Sequence, residues 1–320
     1  MTDRFPDAFL IGAPKCGTTS LFSWLQQHPD TWLPVKEPNF LSPDILDARD
    51  EYGAITDEAA YLARLCPPEA AGRLTGEATP KYLYSEAALT RLSAHADRVR
   101  LIVMLRNPVD LAIAMHAQSL RQGREPEPDF WTAWTRGPAT PGDRLTDYAF
   151  WGRPGVWLDR YLAAFPPGRI RVLILEEQMR HDPQAAHAEI LSYLGLAPQV
   201  LDSYAVRNRR KAYRSARLQG ASRRARRAVY RMLGRIGIRP GGTGALRLLD
   251  RINADRDGPA PVPDAIRRRV AMALAEDARR IAAALGRPLP WPDFDTGADL
   301  GRDTKLDTGL DSGPVRKELP

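Results

Sequence analysis

Three short apolar runs separated by helical stretches predict a three-layer α/β fold, with a central parallel sheet, helices on both faces and a C-terminal helical basic segment. The runs are DAFLIGA at 7–13, VRLIVML at 99–105 and the segment 170–175. The second is unbroken, as expected of a strand buried on both faces. A glycine-rich loop lies between the first run and the helix after it, where such folds place anions.

Taken in order, residues 18–28 place Leu21, Trp24 and Leu25 at helical spacing until Pro29 stops them. Residues 32–40, with Pro34 and Pro38, read as a loop; 56–65 read as a helix, and 85–96 as another capped by Ser85. Pro108 closes the second strand and 109–120 continue as a helix. The Pro/Gly-rich stretch 123–147 reads as a surface excursion, and a helix over 156–165 leads into the third strand. Beyond 203 the pattern is helical: Leu218, Ala221, Ala225, Val229, Met232, Leu233 and Ile236 share a face that Arg223, Arg224, Arg226, Arg227 and Arg231 flank. Pro240-Gly241-Gly242 breaks it, and a last amphipathic helix runs over 264–285. The expected organisation is one domain over 1–294, with the basic segment 203–249 inside it and a disordered polar tail at 295–320.

The chain has 320 residues, 27% of them charged, and no apolar run of membrane-spanning length. The first seven residues lack signal-peptide character, so the domain is expected to begin at once. Two cysteines, Cys16 and Cys66, exclude a disulfide framework and show no metal spacing, which suits a reducing cytoplasm. Residues 203–249 hold fourteen Lys or Arg and no Asp or Glu, against +7 for the whole chain. A basic excess so localised implies an anionic partner: a phosphorylated cofactor, an acidic glycan, an anionic lipid surface or nucleic acid.

The sharpest motif is Gly12-Ala13-Pro14-Lys15-Cys16-Gly17-Thr18-Thr19-Ser20 between strand and helix. Unpaired N–H groups at the helix start, the two glycines, the Thr18 and Thr19 hydroxyls and the Lys15 charge suit a phosphate. A Walker loop would carry its lysine directly after the second glycine; here Thr18 stands there and the lysine precedes Gly17. A triphosphatase also needs a carboxylate for Mg²⁺ at the end of another strand, whereas the 99–105 strand ends in Arg106-Asn107-Pro108. That cation suits a second phosphate.

P-K-x-G-T-T after the first strand and L-R-N-P after a later one resemble the family of sulfotransferases dependent on 3′-phosphoadenosine 5′-phosphosulfate (PAPS). Lys36-Glu37-Pro38-x-Phe40 and Gly76-Glu77-Ala78-Thr79-Pro80-x-Tyr82 are similar to blocks of its glycan and bacterial branches, as are 106–123, 152–183 and the ending LGRPLPW. The resemblance covers about residues 5–294 and specifies the donor more than the acceptor. It implies a P-loop-like fold, PAPS as co-substrate and no metal. Lys15 would contact the phosphosulfate, Cys16, Gly17, Thr18, Thr19 and Ser20 would cradle the leaving phosphate, and Arg106 would hold the 3′-phosphate. Where the family carries a serine eight residues after that arginine, this chain has Ala114, and the basic loop Arg209-Arg210-Lys211 is the expected substitute.

A hydroxyl acceptor loses its proton as it attacks sulfur, so a positioned base helps by about 10²–10⁴. The resemblance points to Glu37, whose structural alternative is a loop glutamate paired with Lys36. His116 is the second candidate. His28 reads as a helix-end cap, and His95, His181 and His187 have no partner in view. Glu77 would orient Lys15 or an acceptor hydroxyl, or bond loop amides, and Glu176-Glu177 ends a strand beside the cleft. The resulting expectation is sulfuryl transfer to a hydroxyl or amine of a glycan, lipid-linked or natural-product acceptor. The enzyme would be cytoplasmic, with peripheral contact to the inner membrane face through 218–236 and no stable nucleic-acid partner. The rival readings are a P-loop kinase or triphosphatase, and an inactive anion- or nucleic-acid-binding protein.

Overall fold

The computed structural model of the chain describes residues 4–45, 55–205, 212–213, 254–255 and 261–294. The expected phosphate ligands Arg209, Arg210 and Lys211, the arginine-rich face over 218–236 and the tail 295–320 lie outside the described residues.

Five parallel strands form one sheet in the order β2-β3-β1-β4-β5. They are β1 (Ala8–Gly12), β2 (Thr31–Trp32), β3 (Leu74–Ala78), β4 (Arg100–Leu105) and β5 (Ile170–Ile174). Central β1 is buried at every position and β4 at all but its first, as strands covered on both faces must be. The chain leaves β1 toward β2, returns through β3, then crosses to β4 on the other side. The loops after β1 and β4 therefore diverge and open a crevice between them at the carboxyl edge, where open α/β sheets bind ligands.

Two strands were not expected. β3 is short and carries Gly76 and Glu77, so nothing in its pattern marks a strand; its burial comes from lying between β2 and β1. A Cβ at Gly76 would meet the Ala8 carbonyl oxygen at 2.2 Å, so glycine is required for the backbones to approach. The second is β2, at the head of the expected 32–40 loop, which is further anchored by a parallel bridge from Lys36 to Ala78.

Of the helices, α1, α2, α3, α4, α7 and α9 follow their sequence signals, and α5, α6 and α8 were not expected. They are α1 (Thr18–Leu25), α2 (Glu58–Leu65), α3 (Glu86–Ser93), α4 (Pro108–Arg121), α5 (Phe130–Arg136), α6 (Tyr148–Trp151), α7 (Pro154–Ala164), α8 (Pro183–Leu194) and α9 (Asp264–Leu285). The Ser85 hydroxyl accepts from Ala88 N at 3.0 Å and Asn107 Oδ1 from Val109 N at 2.9 Å, capping α3 and α4. The 123–147 stretch is more than a surface excursion. It contains α5, buries Phe130 and Leu145, and is pinned by buried Glu125, which accepts both Arg136 Nη atoms at 3.0 and 2.8 Å and the Tyr148 hydroxyl at 2.7 Å. Within the expected basic segment, Ala212–Tyr213 pairs antiparallel with Ala254–Asp255 as β6 and β7. Helix α9 closes the domain against α7, where Asp277 accepts from Gly155 N and Val156 N at 2.8 and 2.9 Å. Among the described residues no helix is long and apolar enough to cross a membrane.

Candidate active site

The loop from Gly12 to α1 bends through two positive-φ residues, Lys15 (64°) and Gly17 (88°). Gly17 is the α1 N-cap, no side chain caps the helix, and no acidic residue occupies its first turn. The helix start therefore keeps its N–H donors and partial positive charge for an anion. Lys15 is not glycine and is held in the left-handed region, a conformation that persists where its surroundings enforce it. Thr18 and Ser20 are buried and Thr19 half-buried. Cys16 is fully buried, donates to Pro14 O at 3.3 Å, and its thiol is pushed up to about 12 by burial; it packs as a neutral residue.

Arg106 ends β4 beside this loop. Its side chain is buried, donating from Nη1 to Lys15 O (3.2 Å) and from Nη2 to Asp110 Oδ2 (2.9 Å). Neither its Nε nor Glu176 Oε1 has a hydrogen-bond partner among the described residues, although the two charges lie 4.0 Å apart. A buried, unpaired guanidinium N–H is costly, and the observed pattern fits an anion ligand better than a purely structural cation. Burial, then Arg121 and Arg106, lower the Lys15 ammonium to about 8. Three cations thus converge on one region, and no carboxylate ends β4 to hold Mg²⁺.

Facing them is the 36–41 loop. Glu37 has φ 59° and Asn39 φ 55°; Glu37 N donates to Ala78 O at 2.8 Å, and Asn39 Nδ2 to Glu37 O at 2.8 Å. The Glu37 side chain is 47% exposed and pairs with Lys36 Nζ. Burial raises its pKa, but Lys36, Lys81 and Lys15 outweigh it and hold the carboxyl below its usual value. The Lys36 pair expected of a structural glutamate is therefore present. That role alone does not account for the nearness of the Lys15 charge.

Glu77 does neither of the things expected of it. It is buried and accepts three hydroxyls: Tyr61 at 2.6 Å, Thr79 at 2.6 Å and Tyr82 at 2.9 Å. Burial nonetheless raises it to about 7 against those bonds. The Tyr82 hydroxyl also accepts Leu41 N at 3.1 Å, and Tyr61 stacks on Phe40 with centroids 4.3 Å apart. Through these rings Glu77 supports the loop that carries Glu37.

His116 does not join the group. On α4 it lies two residues past Ala114, a rotation of roughly 200°, and five before Arg121, roughly 140° away. It is buried between Phe130 and Tyr148, with Nε2 2.9 Å from Glu127 O, and burial lowers its pKa. The ring points into the packing of the 123–147 stretch, away from the α4 face that carries Asp110. Ala114 lies on the α4 face of Asp110 and Arg121 with no polar group to offer. His28 behaves as a cap, accepting Asp30 N at Nδ1, and His187 packs near Trp24 and Tyr204. Glu176 reaches the site beside Arg106, while Glu177 pairs with Arg287 on the surface.

Sequence reasoning missed Asp110, Arg121, Tyr61 and Arg267. Asp110 stands only four residues after Arg106, in the first turn of α4, a closeness that the sequence shows. Arg267, which donates to Asp110 Oδ1 at 2.9 Å, comes from 157 residues away and left no local signal.

A sulfotransferase domain model matches residues 5–232. The chain belongs to the sulfotransferase family. Among curated proteins it is similar to heparan sulfate glucosamine 3-O-sulfotransferase 6 of Homo sapiens, at 31% identity across 69% of this chain and 61% of that protein. It is similar also to heparan sulfate glucosamine 3-O-sulfotransferase 3B1 of Homo sapiens, at 28% across 66% of this chain and 51% of that protein. The chain thus spans between half and two thirds of the length of these two relatives. A solved sulfotransferase from Alicyclobacillus acidocaldarius shares the fold, with TM-score 0.65 and 23% identity over 89% of this chain and 98% of that one. The site above is where the chemistry of this family member is to be sought.

Proposed function

We propose that this sulfotransferase moves the sulfuryl group of PAPS to a hydroxyl of a glycan. The observation that carries the donor reading is Arg106 just after β4, buried against the Lys15 backbone at 3.2 Å with no hydrogen bond at Nε, at the edge where the α1 N-terminus opens. PAPS carries a 5′-phosphosulfate and a 3′-phosphate. The Lys15 loop and the Gly17–Ser20 turn suit the first, and the Arg106 fork suits the second.

In the transfer, the acceptor oxygen forms a bond to sulfur as the bond from sulfur to the bridging phosphate oxygen breaks. The acceptor proton goes to a Glu37 carboxylate oxygen. Lys15 stabilises the negative charge that builds on the leaving phosphate, giving 3′-phosphoadenosine 5′-phosphate (PAP). The glycan acceptor is supported by the named activities of the two human relatives and by the lysines around the open Glu37 loop. The extent 1–294 and the cytoplasmic setting rest on sequence alone. So does the arginine-rich 218–236 stretch as a collector of acidic or membrane-borne acceptors.

The test is transfer of labelled sulfate from PAPS to desulfated heparan sulfate, with calorimetry of PAP and AMP alongside. Labelled glycan and a clear preference for PAP support the reading. A protein that binds ATP with Mg²⁺ in preference to PAP returns it to the kinase or triphosphatase reading.

A further inference from the structure

The C-terminal helix reaches back to the donor side of the cleft. Arg267, in the first turn of α9, donates from Nη1 to Asp110 Oδ1 at 2.9 Å and from Nη2 to Asp293 Oδ2 at 2.6 Å. Its Nε lies 3.3 Å from Asp293 Oδ1. Asn107 Nδ2 donates to the same Asp293 at 2.7 Å, tying the turn after β4 to the residues that follow α9. The other Asp110 oxygen, Oδ2, accepts from Arg106 Nη2 at 2.9 Å. One carboxylate is therefore shared between two guanidinium groups from distant parts of the chain.

The charges explain what such sharing achieves. Arg106 is buried and has two carboxylates beside it, Asp110 at 2.9 Å and Glu176 at 4.0 Å. Left alone, those two would cancel its field close at hand and make it a weak holder of an incoming phosphate. Arg267 offsets Asp110 from the far side. Burial would raise Asp110, but Arg106 and Arg267 outweigh it and hold the carboxyl below its usual value, so it stays ionised and keeps both bonds. All three Arg267 nitrogens are engaged on carboxylates, so its action is through Asp110. Ala114, one turn further along the same face of α4, has no polar group to share the task.

We propose that Arg267 is a positioning residue of the donor site: by occupying Asp110 it leaves Arg106 oriented and charged toward the crevice between β1 and β4, so that the C-terminal helix sets the affinity for a 3′-phosphate. This rests on the donor reading above, and the test separates the two.

PAP and AMP differ by the 3′-phosphate alone, so the ratio of their affinities reads this site without an acceptor. Calorimetry is run on the full chain, on Arg267→Met, on Asp110→Asn and on the double variant. Arg267→Met is expected to weaken PAP about tenfold and to leave AMP within about twofold, the scale of a charge-assisted pair. On the Asp110→Asn background the same change is expected to do little more, because the route through the carboxylate is already gone. An unchanged PAP-to-AMP ratio in Arg267→Met, or losses that simply add in the double variant, overturns the inference alone. A wild type that binds the two nucleotides equally overturns the donor reading and this inference with it. Should Arg267→Met not fold, Arg267→Lys keeps the charge and loses the fork; an intermediate ratio supports the role, and a wild-type ratio overturns it.

Discussion

The loop proposed to hold the donor grows directly from the sheet, whereas the loop proposed to serve the acceptor is held at one remove. Lys15 to Ser20 follow β1 and open α1, and Arg106 ends β4, so two central strands set that geometry. Residues 36–41 are secured by the Lys36–Ala78 bridge and by hydroxyls gathered on Glu77. One side is rigid by descent from the core, and the other by a buried polar cluster whose every bond must be made. The lesson is that one reactant can be gripped by loops rooted in the central strands, while the other meets a surface loop.

Several substitutions test that division, beginning with the largest effect. Lys15→Ala should lower turnover by roughly 10²–10³ and weaken PAP as well, because a charge facing the leaving phosphate acts in both states. Retained turnover in that variant, measured as PAP released from PAPS, would break the donor assignment.

Glu37→Gln should lower turnover by about 10² or more while PAP affinity stays within a few-fold. The two variants sharpen the comparison together, since only the first should disturb nucleotide binding. A Glu37→Gln enzyme near wild-type turnover would mean that the base lies elsewhere.

Glu77→Gln should cost about tenfold in turnover, since an amide cannot accept three hydroxyls as a carboxylate does and the cluster is left partly unmade. Hydrogen exchange should rise at Leu41, whose N–H rests on Tyr82. Unchanged exchange there would show that the loop does not depend on the cluster.

The smallest effect is one of pH. Lys15 is lowered from 10.5 to about 8, so it sheds its proton as pH rises through that value. Attraction for PAP is complete well below about 8, is half lost at that value and declines further above it, and Lys15→Ala should abolish that slope. A slope that survives the substitution belongs to another group.

The sequence by itself determined the layers, several of the helices, the glycine-rich loop between β1 and α1 and the cation that follows β4. Those features are carried by local pattern: apolar runs at 8–12 and 100–105, a cap at Ser85, and Gly17 where φ is 88°. The α9 boundaries, 264–285, were legible for the same reason. Only the tertiary structure decided the rest. LTGEA became a strand because its neighbours in the sheet buried it, which no five-residue pattern with a glycine and a glutamate declares. His116 stands apart from Arg106 because helical rotation carries it away from the face of Ala114 and Arg121. Glu77 gained its partners from α2 and the turn at Tyr82, and Asp110 gained Arg267 from the far end of the chain. Hydrogen bonds and ion pairs act between groups brought together by folding, and their partners have no fixed spacing along the chain; the core that brings them together does.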